Sequence, residues 1–262
     1  MKVNTDTFDI LKPDIWFGSK PNVDQFIEFE SPRNEKEVLS ALCFSLKRGD
    51  FHKKNELESL ILNSKDILLK RQAIRLYCYV ATHDDVGFLR KFLAYAEHDE
   101  VFTFITYAPH TLSYNVIPLL FSLLEEYQDT VLEEDILSSI NTIFPFGYEG
   151  EKFNIDELKT IFSSFYYKID KDGYYYDGEL VFIGDLTKKL FPAIVETLQN
   201  NQEFLFIEAP TLLSIWSGSK FPVVYGQFLS EREYNLTINY IKEIAKSKWE
   251  KGSKYFYGHK VA

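Results

Sequence analysis

A chain of 262 residues, 45% apolar and 26% charged, is long enough to bury a core and ordinary in composition for a globular protein. Its net charge of −10 argues against nucleic acid and anionic membrane as direct partners, since both select basic surfaces. Twenty-three Phe and 17 Tyr against 12 Gly and 9 Pro favour long packed helices with aromatic rings in the seams.

The start, MKVNTDTFDILKPD, holds no apolar run of secretory-signal length, and no segment reaches transmembrane length, so a cytoplasmic location is expected. DIWFGSK (14–20) follows, placing a tryptophan between Pro13 and Pro21 without an amphipathic helix around it. Residues 35–48 put Val38, Leu39, Leu42 and Leu46 on one helical face, and Gly49-Asp50 ends the pattern. NELESLIL (55–62) predicts a short helix capped by Asn55 with Glu58 completing a capping box. DILLKRQAIRLYCYVAT (66–82) and DDVGFLRKFLAYAEH (84–98) are joined so tightly that they must pack antiparallel. Cys43 and Cys78 sit in apolar helical patterns without metal or redox spacing, as reduced core thiols.

Helical units open at 66, 99 and 132, an interval of 33 residues. That rhythm is typical of stacked helical hairpins, each burying its apolar face against its neighbours, and over residues 35–144 it is HEAT-like in style. FPFGYEGEKF (144–153) interrupts the rhythm, and helix resumes over 154–169 with Asn154 as its cap. Asp177-Gly178 between two β-prone runs predicts a small hairpin near 173–183. Helices are expected again at about 186–199, 203–216 and 230–250.

SIWSGSK (214–220) nearly repeats DIWFGSK, and the likeness continues through a Pro and a Gln-Phe pair to a Ser-x-Arg that opens a long helix. The repeat reads as a duplicated corner in which Trp16 and Trp216 pack and Gly18 and Gly218 turn the chain; Pro222 should start a short helix in the second copy. Ser230 with Glu233 makes a capping box for the last long helix. Trp249 also precedes a Gly-Ser-Lys turn, at Gly252. These corners are expected to be structural; the functional alternative has them display Ser and Lys to a partner.

No motif for a nucleophile elbow, a phosphate loop, a dinucleotide fold or paired cysteines is present, and the five histidines pair at no ligand spacing. The loop 168–179 aligns with a calcium loop, but Lys168 would put a cation where the first carboxylate binds. The chain is therefore expected to have no catalytic residues, metal or cofactor. Two features suit a protein partner. EEYQDTVLEED carries six acids, Glu125, Glu126, Asp129, Glu133, Glu134 and Asp135, with no base, which reads either as a solvated helix end and turn or as a face able to steer a basic protein. Tyr174, Tyr175 and Tyr176 form a tyrosine loop that either covers the end of the helical stack or supplies binding hot spots. The last 22 residues hold six Lys and two Glu, leaving residues 1–240 at −14, which matches a basic, nuclease-type partner.

The WxG turn of DIWFGSK, a mostly helical body, acidity and aromatic richness together resemble the immunity protein 47 family of bacterial polymorphic-toxin systems. That resemblance implies a cytosolic, non-catalytic antidote that binds and blocks a cognate toxin. The fold expected is mainly α: antiparallel helical hairpins stacked as an irregular HEAT-like solenoid or bundle. It would form one elongated domain over 1–262, with sub-halves 1–147 and 148–262. A HEAT-like adaptor for another protein, and a hydrolase with a carboxylate site that no motif marks, are the alternative functions.

Overall fold

A computed structural model of the chain describes residues 34–147 and 154–261, and the first tryptophan corner, with Trp16 and Gly18, lies outside them. Among the described residues the fold is mainly α, with eleven α-helices and three two-stranded antiparallel sheets. The first eight helices are α1 (Glu35–Lys47), α2 (Lys54–Asn63), α3 (Ile67–Val80), α4 (Val86–Leu93), α5 (His98–Tyr107), α6 (Ile117–Glu126), α7 (Leu132–Ile143) and α8 (Ile155–Tyr166).

Side-chain bonds fix how these helices run. Ser64, at the end of α2, donates to Glu35 at the start of α1 (2.6 Å), so the two are antiparallel. Lys54, opening α2, reaches Asp85 beyond the end of α3 (2.7 Å), and Tyr77 late in α3 donates to Glu58 (2.7 Å). In contrast, Lys70 bonds Glu100 and Arg71 bonds Thr103, pairing start with start, so α3 and α5 lie parallel. Ser139 of α7 donates to the Ile105 carbonyl of α5 (2.7 Å), extending the row α3–α5–α7. Most of these bonds join residues 29 to 34 apart, about one helical hairpin. The recurring interval read from the sequence is thus the spacing at which neighbouring units touch, and helices begin at Ile67, His98 and Leu132.

Local chemistry explains several boundaries. Asp66 accepts from the backbone N–H groups of Leu68 and Leu69 at the start of α3, and Asn154 does the same for Asp156 and Glu157 of α8. The cap expected at Asn55 is absent: α2 begins one residue earlier, after a 3-10 turn at Phe51–Lys53, and Glu58 serves Tyr77 instead. The second unit is broken between α5 and α6, where Leu112 is left-handed (φ 57°).

The C-terminal part contains β1 (Tyr175–Tyr176), β2 (Glu179–Leu180), α9 (Ile183–Asn200), β3 (Glu203–Phe204), α10 (Glu208–Ser217), β4 (Gln227–Phe228), α11 (Glu231–Ile244), β5 (Tyr255–Phe256) and β6 (His259–Lys260). The hairpin turns through Asp177 and Gly178, both at positive φ (53° and 75°), as its sequence predicted. The helix expected over 203–216 is shorter, because Glu203 and Phe204 pair with Phe228 and Gln227. That pairing also replaces the short helix expected after Pro222. α11 ends at Ile244 rather than near 250, and the hairpin β5–β6, turning through Tyr257 and Gly258, was not expected.

Candidate partner-binding cleft

The row α3–α5–α7 and the start of α10 enclose a cleft of about 440 Å³. Arg75 and Tyr79 come from α3, Tyr107 and His110 from the end of α5 and the turn after it, Asp135 from α7, Tyr176 from β1 and Glu208 from α10. Arg75 is buried, with its guanidinium 5.1 Å from the centre of the Tyr107 ring and 5.8 Å from that of Tyr79. His110 packs on Tyr79 at 4.8 Å. Burial, then the nearby Arg75 and Lys254 charges, push the His110 pKa down to about 3, so its ring is neutral at physiological pH. Burial, then Glu208 and Asp177, raise the Tyr176 phenol. Asp135 and Glu208 are exposed, and neither forms an ion pair among the described residues. The cleft therefore has a cationic, aromatic floor and an acidic rim.

The sequence-predicted contact residues separate here. Tyr174 is buried, stacked on His83 at 4.2 Å, and its backbone N–H donates to the Gly252 carbonyl (2.9 Å). Tyr175 is buried against Tyr114, its hydroxyl donating to the Asp170 carbonyl (3.0 Å). Of the three, Tyr176 alone is half-buried, and it lines the cleft. In the acidic run, Glu125 is ion-paired to Lys159, Asp129 turns the chain at φ 60°, and Glu133 accepts from the Asp129 N–H (2.6 Å). Glu133, Glu134 and Asp135 form the first turn of α7, where the helix dipole favours acids. Glu126 and Glu134 are exposed, and Asp135 is the member of the run that lines the cleft.

The second tryptophan corner is packed into the fold. Gly218 ends α10 in the left-handed conformation (φ 67°), its N–H donating to the Ser214 carbonyl (2.9 Å). Trp216 is buried, and both it and Trp249 pack on Tyr255, at 5.6 and 4.8 Å. Gly252 is also left-handed (φ 78°). The lysine after it does not face a partner. Lys254 is buried, and its ammonium donates to the carbonyls of Cys78 (2.9 Å), Ala81 (2.8 Å) and Thr111 (3.1 Å). It thereby closes the C-terminal end of α3, a role that the exposed-looking Gly-Ser-Lys spelling conceals.

Sequence reasoning also missed Arg75 and the run Leu205-Phe206-Ile207. The signal was present as three consecutive large apolar residues, but a helix over 203–216 would have turned some of them inward. All three are exposed.

Burial raises both cysteine thiols, Cys78 to about 12, which keeps them protonated and unreactive. No group of three or more His, Cys, Asp or Glu among the described residues is placed to hold a metal ion. No helix among them is long and apolar enough to cross a membrane. The cleft presents an aromatic-lined hollow, side-chain hydroxyls and two carboxylates without ion pairs among the described residues.

The sequence model of the family described as immunity protein 47 matches residues 11–261. No curated protein and no solved structure matches the chain.

Proposed function

The chain belongs to the immunity protein 47 family, and from that premise we propose that it is a cytosolic, non-catalytic antidote that binds and blocks the toxin of a polymorphic-toxin system. The match over nearly the whole chain carries this reading. Supporting it, the Cys43 and Cys78 thiols and the Lys254 amine are shut inside the core, and His110 in the cleft, its pKa pushed down to about 3 by burial, is too weak a base to take up a proton at physiological pH.

The toxin is a basic, nuclease-type domain in this reading. The net charge of −10 and the acidic turn of Glu126, Glu134 and Asp135 would draw such a partner in, so association should slow as salt rises. The test is co-expression with the toxin domain encoded beside this gene. Cells should survive, and toxin released from the complex by denaturation and refolded should keep its mass and activity. Growth arrest at matched expression would remove the antidote reading; a toxin recovered covalently altered would replace blocking with catalysis.

A further inference from the structure

Phe206, Ile207, Val224, Tyr225 and Phe228 are 45 to 59% exposed. Single exposed apolar residues are normal, whereas a contiguous group is not. These belong together: β3 pairs with β4, the Gly226 N–H donates to the Phe204 carbonyl (2.8 Å), and Phe206, Ile207, Val224 and Tyr225 line one hollow of about 160 Å³. Ile207 and Thr211 line both this hollow and the 440 Å³ cleft, so ridge and cleft form one continuous surface. Glu208 stands directly after the apolar run, and Asp135 shares its cleft.

We propose that this ridge, together with Glu208 and Asp135, is where the chain seats its toxin. The toxin element that fits presents aliphatic or aromatic side chains to the ridge, whose hollow Lys220 also lines, and a Lys or Arg to the exposed carboxylates at the rim of the cleft rather than to the buried Arg75 of its floor. The inference rests on the antidote reading and adds the surface and the chemistry of what it receives. Aromatic side chains supply contact area, and carboxylates without ion pairs select a cation. The surface is supported underneath: Phe204 and Phe221 are buried beneath it with ring centres 6.4 Å apart.

The probe is the toxin domain encoded beside this gene, in a catalytically inactive form, with its affinity measured by calorimetry. Phe206→Ser with Tyr225→Ser should weaken binding by roughly 30-fold or more, the size of a hot-spot loss, and Glu208→Lys by about 10-fold. Tyr95→Ser, 82% exposed and lining neither hollow, should stay within about two-fold of the parent chain. A photo-crosslinking residue at position 225 should capture the toxin and one at position 95 should not, a readout that needs no destabilising change.

If the parent chain binds and the ridge variants bind equally, with crosslinks only elsewhere, the ridge assignment is overturned and the antidote reading stands. If the parent chain does not bind this toxin, both fall. Should the parent chain dimerise through the ridge and the double variant become monomeric with toxin affinity intact, the ridge is a self-association surface and the proposal is wrong.

Discussion

Lys254 carries a cation into the core without a carboxylate bonded to it, held by three carbonyls at 2.8 to 3.1 Å. Replacing it with Met leaves those three oxygens buried and unsatisfied, each at about 1–3 kcal/mol, while removing the cost of burying the charge. A net loss of about 2–4 kcal/mol in urea unfolding at pH 7 is expected. Burial lowers the Lys254 pKa to about 7 from 10.5, so between those values the unfolded chain binds more proton than the folded one. Stability from this group therefore rises with pH across that window and is lost as pH falls toward 7. The gap between parent and Lys254→Met should widen from pH 7 to 10; a constant gap would mean that the carbonyls keep the ammonium as readily charged as in water. Trp216 makes a simpler case, since it is buried and touches Tyr255: Trp216→Ala should lose roughly 3–5 kcal/mol by calorimetric melting. Loss of toxin binding at unchanged melting temperature would instead make that corner functional.

At the scale of elements, the features that local chemistry controls were legible. The Asp177-Gly178 turn, the Asn154 cap, the Ser230–Glu233 capping box and the left-handed Gly218 all occur where the residues predict them. Gly178→Ala tests the first. An added Cβ would meet Pro145 Cγ at 2.8 Å, and φ of +75° is itself unfavourable for alanine, so a loss of about 1–2 kcal/mol is expected from denaturant unfolding. No change would mean the loop carrying Pro145 yields freely. The elements that were misread depend on distant partners. Nothing in residues 203–216 announces that Glu203 and Phe204 will pair with Phe228 and Gln227, and nothing near Asn55 announces that Tyr77 will claim Glu58. The terminal hairpin was hidden differently, by a tyrosine in the left-handed conformation (φ 51°) where Gly or Asn is the usual sign. The cleft was half legible in the same way. Asp135 and Tyr176 each drew notice for their own chemistry, but their meeting beside Glu208 is a product of the stack.

Across the whole molecule, the C-terminal turn and hairpin join what the sequence divides. Lys254 bonds α3 and Thr111, the Gly252 N–H donates to the Val181 carbonyl, and the N–H groups of Tyr257 and Gly258 donate to Ile215 and Trp216 (2.8 and 2.6 Å). Tyr174 bonds back to Gly252, and Tyr175 donates its N–H to the Leu112 carbonyl (2.7 Å). The Lys254 and Tyr175 bonds run between the segments 34–147 and 154–261, and the others tie the terminal turn and hairpin into the second segment, so opening one segment exposes buried donors and acceptors of the other. A stack of hairpins that contacted only its neighbours could fray from an end; this one is tied from its last strands to its third helix. The chain is accordingly expected to unfold as one cooperative unit rather than as the sub-halves 1–147 and 148–262. In a Trp16→Phe chain the fluorescence of Trp216 and Trp249 reports on the C-terminal segment, whereas far-UV circular dichroism reports on helices throughout. The two signals should trace a single superimposable urea transition, because their structures share the same bonds. Separated midpoints would establish two units, and Lys254→Met is the substitution most apt to produce them, since it cuts the tie between α3 and the terminal hairpin while leaving the surfaces of both intact.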